Sequence, residues 1–380
     1  MGIQDLFTLL KKECPTVIHH VKIDVLSGIS VAVDISVFFN VFVKTSTQSW
    51  LEPFIHFLLR FKKKDIYPIF IFDGLEVPEE KKGEQQHRRD TVNKSKDNLA
   101  RGKELLPLVE KYQSLGEAPP PEVIEELKVI IGPKRAEKME TDFTDIYSIL
   151  PSLHTAMKQL TKQTTPILPI YTSIARDFIE ALGFDHYLAK GEAEALCASM
   201  CIEGKVDAVI TEDSDVMAYG CPYLICKWRD GECDLIAMED ILFELGLSYE
   251  SFRDLCILLK CDYNHRAKLP PSTKKRKDGE ENKPRGVGMV KALELINEHQ
   301  SLENIEPLLW DPEVLNYRRC RELFQPPSTS FLPPPAPRSI DKKRLAGLWK
   351  KHGLREGLYG QILGLWTPAE VVIDSDQIEF

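Results

Sequence analysis

Short apolar runs that end in acidic residues recur along the chain. The runs at 31–34 (VAVD), 66–73 (IYPIFIFD) and 206–210 (VDAVI, followed by TEDSD) are too short for helices and rich in β-branched and aromatic residues. Such runs are typical of strands that are buried on both faces. Helical apolar spacing separates them, which indicates an α/β fold with a mostly parallel central sheet. The carboxyl ends of parallel strands share one edge, and we expect the acids to gather there.

The stretch 191–215 combines one of these strands with a helix and two pairs of acids. Small and apolar side chains at helical spacing predict a helix that Gly204 ends. Glu192 and Glu194 stand at its start, but side chains two residues apart diverge by about 200° in a regular helix. They can point the same way only if the pair lies in an irregular first turn.

Asp213 and Asp215 follow the strand, so four carboxylates bracket this unit. Convergent anions repel one another unless cations neutralise them, and hard divalent cations that prefer oxygen ligands, Mg²⁺ or Mn²⁺, suit such a group. The alternative interpretation is an exposed acidic turn together with ordinary acids at a helix start, where the helix dipole favours them. The stretch by itself leaves both interpretations open.

Composition changes this picture little. The 380 residues are 43% hydrophobic and 28% charged, as in soluble globular proteins, and could form one large or two ordinary domains. No apolar run reaches the roughly 18 residues of a membrane span, and the opening MGIQDLFTLLKKE predicts an amphipathic helix. We therefore expect an intracellular, soluble protein with no membrane partner. Nine cysteines without a C-x-x-C pair indicate reduced, buried thiols.

Charge bears on the partner. The formal net charge of −9 disfavours nucleic acid, but the acidic group contributes to this sum, and basic residues occur in local runs. The run at 81–101 predicts either a solvated helix face or a basic face that grips phosphate. The motif RGVGMVKALELI at 285–296 places a Gly-x-Gly turn before a helix, whose first N–H groups and Lys291 can hold a phosphate backbone. The alternative for this motif is a tight connection between two helices.

These motifs together give the chain a resemblance to a known family. The opening MGIQDLFTLL, then VAVDIS, FIFDG, GEAEALCAS, TEDSD, LLKCDY and RGVGMVKALELI, occur in family order. They resemble the flap endonuclease branch of the structure-specific 5′ nuclease (xeroderma pigmentosum group G-like) superfamily. The resemblance implies a PIN-like fold, in which helices flank a mostly parallel central sheet. It also implies a helix-two-turn-helix element that binds DNA and a helical insertion over the active site.

The resemblance assigns roles to individual residues. The metal-site carboxylates of the family correspond to seven acids: Asp34, Asp73, Glu192, Glu194, Asp213, Asp215 and Asp262. A catalytic lysine and arginine correspond to Lys81 and Arg88 or, one residue further along, to Lys82 and Arg89. The DNA-binding positions correspond to Gly2, Arg285, Gly286, Gly288 and Lys291. In the family, the turn at 286–288 can also hold K⁺.

The activity implied by this resemblance is cleavage of DNA flaps near the junction of single strand and duplex. It proceeds by two-metal hydrolysis of a phosphodiester, with two Mg²⁺ ions per site and Mn²⁺ as a substitute, in DNA replication, repair or recombination. The partner is branched or flapped double-stranded DNA, and we expect a monomer that acts in the nucleus or at the site of DNA replication. The alternatives are a 5′-to-3′ exonuclease or junction resolvase on the same scaffold, a catalytically inactive DNA-binding scaffold and a PIN-like ribonuclease.

The chain departs from the family pattern in several places. Asn40 stands where the family has a stacking tyrosine, so stacking on a base comes from Phe38 or Phe39 or is weaker. Asp5 replaces a small residue near the DNA junction, and the loop at 265–284 is longer than usual. The chain does not end in a sliding-clamp peptide, which leaves a clamp partner open.

These patterns divide the chain into four parts. Residues 1–101 form an N-terminal nuclease region, and 102–182 form a helical insertion or arch. Residues 183–300 form an internal nuclease region with the helix-two-turn-helix element. Residues 301–380 form a C-terminal region with a Pro-rich loop and an acidic tail that we expect to be flexible.

Overall fold

A computed structural model of the chain describes residues 2–46, 49–132, 146–229, 231–271, 283–330, 332–333 and 339–366. The middle of the long loop at 265–284, part of the Pro-rich loop and the whole acidic tail lie outside the described residues.

The strands predicted from the apolar runs are present and form a mostly parallel sheet. The strands are β1 (Ile18–Lys22), β2 (Ser30–Asp34), β3 (Tyr67–Phe72), β4 (Asp185–Leu188), β5 (Ala208–Ile210), β6 (Tyr223–Cys226), β7 (Glu232–Ala237), β8 (Lys268–Leu269) and β9 (Arg285–Gly286). The first seven form one sheet in the order β1-β7-β6-β5-β2-β3-β4. β6, β5, β2, β3 and β4 pair parallel, while β7 pairs antiparallel with β6 and with β1. The predicted fold class is confirmed.

The sequence patterns predict no strand at β1 or β4, which are the two edges of this sheet. Their sequences, IHHVK and DHYL, place exposed or half-exposed side chains at most positions. An edge strand is covered by neighbours on one side only, so it lacks the continuous apolar run that marks a central strand.

Helices connect and cover the strands. They are α1 (Leu6–Glu13), α2 (Ile35–Thr45), α3 (Leu51–Lys63), α4 (Lys82–Leu115), α5 (Pro121–Ile131), α6 (Ile146–Thr164), α7 (Pro169–Ala181), α8 (Ala193–Ile202), α9 (Asp215–Ala218), α10 (Met238–Leu245), α11 (Tyr249–Leu259), α12 (Met289–His299), α13 (Leu302–Ile305), α14 (Tyr317–Leu323), α15 (Lys342–His352) and α16 (Glu356–Trp366). Short 3₁₀ turns lie at Pro15–Val17, Ile23–Leu26, Glu79–Lys81, Glu306–Leu308 and Pro312–Leu315. Gly204, with φ of 67°, follows the end of α8 as the sequence predicts.

The chain divides into two compact units. The first comprises Met1–Phe39, Leu51–Glu80 and Pro169–Phe380, and the second comprises Asn40–Trp50 and Lys81–Leu168.

In the first unit, the central sheet has an apolar layer on each face. Side chains alternate between the faces along β3. Ile69 and Ile71 belong to a core that includes Leu196 of α8, whereas Phe70 packs at right angles against Phe61 of α3. Phe61 also stacks on Trp228 at 5.3 Å. Helices therefore flank the sheet on both faces and bury its central strands.

In the second unit, α4, α5 and α6 pack around a separate small core. Its fully buried residues are Val109, Leu127, Ile149 and Leu153. α4 runs unbroken across residue 102, so the sequence-based boundary between residues 101 and 102 falls inside a helix. The charged composition that suggests the boundary belongs to the exposed face of α4 rather than to a break in the chain. The other sequence-based boundaries stay predictions.

All nine cysteines are buried and remain thiols, as the sequence predicts. None of the helices in the described ranges is both long and apolar enough to cross a bilayer.

Candidate active site

Three neighbouring strands bring acids to one edge of the sheet. Asp34 is the last residue of β2, and β3 and β5 run parallel on either side of it. The hydroxyl of Thr211, directly after β5, donates to Asp34 Oδ2 at 3.0 Å and accepts from the N–H of Asp213 at 3.1 Å. One threonine therefore joins the acid that ends β2 to the acidic loop that follows β5.

Asp73, just after β3, is fixed at the start of α8. The N–H groups of Gly74 and Glu76 donate to the carbonyls of Gly191 and Lys190 at 2.7 and 3.0 Å. A Cβ atom on Gly74 would lie 2.1 Å from the backbone oxygens of residues 189 and 190, so only glycine allows this close approach. The loop thereby aims Asp73 Oδ1 at the N–H of Ala193, which donates to it at 3.0 Å. A carboxylate at a helix N-terminus is favoured by the helix dipole.

Glu192 and Glu194 lie at the start of α8. Glu192 is the N-cap of α8 in an extended conformation, with φ of −83° and ψ of 140°. Glu194 is the second residue of the helix and is buried. The hydroxyl of Tyr263 donates to Glu192 Oε2.

Asp213 and Asp215 lie against the amino-terminal segment. A Cβ atom on Gly2, whose φ is 84°, would lie 2.1 Å from Asp213 Oδ1 and 2.7 Å from Asp215 Oδ1. The N–H of Gln4 holds this segment through a 2.9 Å bond to the carbonyl of Lys260. The sequence assigns Gly2 to DNA binding, and the structure adds that its backbone lies directly against two of the acids.

These contacts define a group that we call the sheet-edge acids: Asp34, Asp73, Glu192, Glu194, Asp213 and Asp215. Burial raises the pKa of Asp34 to about 7, and the charges of Asp73 and Asp213 contribute to this rise. Hydrogen bonds from Thr211 and from the N–H of Ser36 lower the same pKa. The field of the group reaches the buried thiol of Cys197, whose pKa is raised by burial and then by Asp34, Glu194 and Asp73. The acids are therefore close enough to repel one another.

The chemistry of this group suits hard divalent cations. Its donors are carboxylate oxygens, which are the ligands that Mg²⁺ and Mn²⁺ prefer. Within the described ranges, no three His, Cys, Asp or Glu side chains are already gathered tightly enough to hold a metal ion. The sheet-edge acids thus fit such cations in donor type and charge.

Asp262, the seventh predicted metal ligand, lies in the turn after α11 and is half-buried. It stands two residues after Lys260, whose carbonyl holds the amino-terminal segment. Its neighbour Tyr263 donates to Glu192, so this turn approaches the start of α8.

Lys81 and Arg88 belong to the second compact unit. Lys81 ends a 3₁₀ turn and is the N-cap of α4, and Arg88 lies two turns further along the same helix. Arg88 is exposed, and its Nε donates to Glu84 Oε1 at 3.3 Å. Lys82 and Arg89 are exposed on the same helix, so both predicted registers stay open.

The predicted DNA-binding turn precedes α12. Arg285 and Gly286 form β9, which pairs with β8, and Gly288 is the N-cap of α12. The N–H of the buried Val287 anchors the turn at 2.8 Å to the carbonyl of residue 267. Among the described residues, no atom apart from the neighbouring backbone lies within 4 Å of a Cβ built on Gly288, so nothing in this part of the chain covers the helix start there. Lys291 lies in the first turn of α12, 44% exposed, and donates to Glu294.

The expectation that Phe38 or Phe39 stacks on a base is wrong. Phe38 and Phe39 are both buried: Phe38 stacks on Phe57 at 4.9 Å, and Phe39 meets Phe54 edge-on at 6.1 Å. Both rings therefore belong to the apolar core, and neither is presented to a base. The apolar spacing of α2, rather than a nucleic-acid contact, explains them.

Sequence reasoning missed Thr211, Tyr219 and Tyr263. Tyr263 directly follows Asp262, and Tyr219 lies four residues after Asp215. The only sequence signal was this closeness to the acids, because the hydrogen bonds of all three depend on how distant segments meet. Burial raises the pKa of both tyrosines well above the usual range, so their hydroxyls keep their protons and can donate.

Two family models match the chain. The XPG N-terminal domain matches residues 1–95, and the XPG I-region matches residues 183–262. These two ranges contain all seven predicted metal-site acids.

Curated relatives extend over most of the chain. Flap endonuclease 1 of Entamoeba dispar is 28% identical over 353 residues, which cover 87% of this chain and 77% of the relative. Flap endonuclease 1 of Meyerozyma guilliermondii is 25% identical over 414 residues, which cover 97% of this chain and 94% of the relative.

Solved structures show the same fold. The catalytic core of Rad2 in complex with DNA substrate superposes with a TM-score of 0.61 at 17% identity and covers 96% of this chain and 100% of that one. Flap endonuclease-1 from Methanococcus jannaschii gives a TM-score of 0.56 at 15% identity, with 92% of this chain and 96% of that one covered. Human GEN1 in complex with Holliday junction DNA gives 0.58 at 18% identity, with 96% and 77% covered.

Proposed function

Because the chain belongs to the flap endonuclease branch of the XPG-like superfamily of 5′ nucleases, we propose that it is a metal-dependent DNA endonuclease. It cuts branched DNA near the junction between a 5′ single-stranded flap and the duplex, during replication, repair or recombination. It acts in the nucleus or at the site of DNA replication.

The observation that carries this proposal is the gathering of the sheet-edge acids at the carboxyl edge of three parallel strands. Six acids in one place destabilise a fold that makes no use of them, because their charges repel. Burial, and then the charges of Asp73 and Asp213, raise the pKa of Asp34 to about 7, as expected where acids lie close together. A group of this kind is expected where cations and a phosphate have to be held together.

We propose Mg²⁺ as the natural cofactor, with Mn²⁺ as a substitute, held by the sheet-edge acids together with Asp262. When bound, such cations supply Lewis-acid chemistry, making a water molecule more acidic and stabilising negative charge on the phosphate. The chain's own residues keep the ligands in place. Thr211 holds Asp34, the N–H of Ala193 holds Asp73, and Tyr263 holds Glu192.

We propose Lys81 and Arg88 as the cationic side chains that contact the scissile phosphate. Their charges would stabilise the negative charge that develops on the phosphate during cleavage. Lys81 is the N-cap of α4, and Arg88 lies within this helix seven residues further on, which favours a similar face for the two side chains. Lys82 and Arg89 are the alternatives if the register is shifted by one residue.

We propose that the duplex is held at the turn before α12. The N–H groups at the start of a helix bind a phosphate without reading sequence. Arg285 and Lys291 flank Gly288 in the sequence and add positive charge. K⁺ bound at residues 286–288 would add a further positive charge beside the same phosphate.

The test is Mg²⁺-dependent cleavage of an end-labelled double-flap DNA. Wild type is compared with Asp213→Ala and with Asp240→Ala, which removes an acid whose side chain is 50% exposed and pairs with His19 at 3.3 Å. We expect wild type and Asp240→Ala to cut near the flap base and Asp213→Ala to be inactive.

Other results would assign another function. Mononucleotides released from the 5′ end would identify an exonuclease, and paired cuts in a four-way junction would identify a junction resolvase. Tight binding of the DNA without cleavage by any of the three proteins would identify a DNA-binding scaffold.

A further inference from the structure

A chain of two tyrosine hydroxyls ends on one of the sheet-edge acids. Tyr263 donates to Glu192 Oε2, and the hydroxyls of Tyr219 and Tyr263 lie 2.9 Å apart. A hydroxyl has one proton to donate. Because the proton of Tyr263 goes to Glu192, Tyr219 is the donor in the second bond. The direction of the chain is therefore from Tyr219 to Tyr263 to Glu192.

The three residues come from three separate segments that each carry predicted metal ligands. Tyr219 follows α9, which begins at Asp215, and Tyr263 directly follows Asp262. Glu192 is the N-cap of α8. The hydroxyl chain thus links the start of α8 to the two other segments through side chains that are not themselves acids.

The tyrosine rings are held rigidly by packing. Both are 3% exposed, and both meet the ring of the fully buried Phe324 at a centroid distance of 5.2 Å, with interplanar angles of 80° and 62°. Buried aromatic rings in such edge-to-face contacts have little rotational freedom. The hydroxyl of Tyr263 therefore has a defined position, and Glu192 Oε2 is held against it.

Glu192 needs this support more than the buried Asp34 and Asp215 do. As the N-cap it has an extended backbone outside the regular helix, and its side chain lines an open cleft together with Tyr263 and Arg319. A glutamate that borders open space has several rotamers to choose from, and fixing it costs conformational entropy. Asp34 and Asp215, by contrast, are shorter and are almost completely buried.

We propose that Tyr263 is a positioning residue for metal binding, with Tyr219 holding Tyr263 in place. By fixing one oxygen of Glu192, it presets the carboxylate for a divalent cation on its other oxygen. The inference rests on the proposed function, since it concerns the same group of acids. Partners that orient metal ligands in this way typically contribute about 10- to 100-fold to metal affinity or activity.

The test is the affinity of the full-length protein for Mn²⁺ alone, without DNA, measured from the electron paramagnetic resonance signal of the unbound ion. Tyr263→Phe removes only the hydroxyl and keeps the ring that packs on Phe324. We expect its Mn²⁺ affinity to fall about 10-fold or more. Tyr219→Phe, which leaves the bond to Glu192 intact, should have a smaller effect in the same direction.

Tyr317→Phe is the matched control. Tyr317 is also 3% exposed, and its hydroxyl donates to the carboxylate of Glu306 at 3.2 Å, so the variant loses the same kind of bond at a place with no predicted ligand. It should bind Mn²⁺ as wild type does. If Tyr263→Phe and Tyr317→Phe have the same Mn²⁺ affinity, Tyr263 has only a packing role and the inference is wrong.

A double-mutant cycle tests whether Tyr263 acts through Glu192. On the background of Glu192→Gln, Tyr263→Phe should change Mn²⁺ affinity and kcat for flap cleavage much less than it does in wild type. Equal effects on both backgrounds would overturn the inference. The KM for DNA should stay close to the wild-type value in Tyr263→Phe, because the hydroxyl orients a metal ligand and touches no DNA.

The outcomes separate this inference from the proposed function. If wild type neither binds Mn²⁺ nor cleaves, the proposed function fails, and this inference fails with it. If wild type does both and Asp213→Ala does neither, the proposed function stands. A wild-type Mn²⁺ affinity for Tyr263→Phe in that case overturns this inference alone.

Discussion

Two groups of carboxylates in the first compact unit contain acids whose pKa values are shifted in opposite directions. Among the sheet-edge acids, Asp34, Asp73 and Glu192 accept hydrogen bonds from Thr211, the N–H of Ala193 and Tyr263. Burial and the charges of neighbouring acids raise the pKa of Asp34 to about 7. A second group, the Arg321 cluster, joins Arg321 to Asp254 and Glu303. The guanidinium of Arg321 lowers the pKa of Glu303 to about 2.

The geometry of the Arg321 cluster explains this difference. Arg321 donates to both oxygens of Asp254 at 2.7 and 2.5 Å and to both oxygens of Glu303 at 2.6 and 2.9 Å. Bidentate pairs of this kind are among the strongest charge-assisted hydrogen bonds. The cluster ties α11, α13 and α14 together, with each carboxylate bonded to the guanidinium of Arg321.

The acids of the Arg321 cluster stabilise the fold, whereas the sheet-edge acids are arranged to bind a ligand. In the Arg321 cluster a guanidinium is bonded to both carboxylates, and the three side chains stabilise the packing of helices. At the sheet edge six acids lie together, and the repulsion that helps to raise the pKa of Asp34 weakens the fold and attracts cations. Residues that act on a ligand are commonly maintained at such a cost to stability.

The largest expected effect is that of Asp213→Asn on catalysis. The change removes one charge from the sheet-edge acids and keeps the shape of the side chain. We expect kcat for flap cleavage to fall at least about 10³-fold, roughly 4 kcal/mol, because a metal ligand is lost. The free energy of unfolding without metal should stay the same or rise, because repulsion is relieved. Single-turnover cleavage and urea unfolding measure the two quantities. A large loss of stability would contradict the comparison.

The opposite result is expected for Arg321→Met in the Arg321 cluster. The side chain of Asp254 is 3% exposed, so the change leaves a buried charge without its cation. We expect the free energy of unfolding to fall by about 3–5 kcal/mol. Cleavage per folded molecule should be unchanged, since no sheet-edge acid is touched. Urea unfolding and the kcat of the folded fraction test this expectation.

Arg344→Met serves as the control for Arg321→Met. Arg344 pairs with Asp177 at 2.7 Å, but the side chains are 39% and 38% exposed, so solvent screens the pair. We expect a loss of at most about 1 kcal/mol. If both arginine variants lose the same stability, burial of Asp254 is not what makes the Arg321 cluster stabilising.

The two groups also differ in how far the sequence predicts them. The sheet-edge acids follow strands, and the carboxyl ends of parallel strands meet at one edge, so a local pattern and one topological rule suffice to bring Asp34, Asp73 and Asp213 together. The Arg321 cluster has no such pattern. Asp254, Glu303 and Arg321 each look like an ordinary charged residue of a helix, and only the tertiary fold brings them into contact.

The same limit applies within the candidate site. Thr211 and Tyr263 contact the acids through register and through a turn, neither of which the apolar pattern encodes. The apolar pattern does not predict the edge strands β1 and β4, because most of their side chains are exposed or half-exposed. The motifs predict the acids of the site. The residues that hold these acids in place are brought to them by the packing of distant segments, which the motifs do not predict.

A smaller effect is expected for Gly2→Ala. The added Cβ would lie 2.1 Å from Asp213 Oδ1, and the φ of 84° at this position strains any residue other than glycine. We expect a loss of about 1–3 kcal/mol in the free energy of unfolding, together with reduced cleavage, because the segment has to move away from the acids.

Gly347→Ala is the control. Gly347 lies in α15 with nothing within 4 Å, so this change should leave cleavage unchanged and stabilise slightly. Equal stability of Gly2→Ala and wild type would show that the close approach is not required.

The smallest effect is the pH dependence of Glu303→Gln. A carboxyl whose pKa is about 2 in the folded protein and about 4.3 in the unfolded chain stabilises the fold above the higher value. That contribution is lost as pH falls toward the folded pKa, because the unfolded chain then binds the proton more readily. The side chain is 47% exposed, so solvent screening limits the contribution to less than about 1 kcal/mol. Wild type should therefore exceed Glu303→Gln in urea midpoint at pH 7, and the difference should shrink between pH 4 and pH 2. A difference that stays constant over this range would mean that Glu303 contributes through packing rather than through its charge, and the contrast between the two groups of acids would then rest on Asp254 alone.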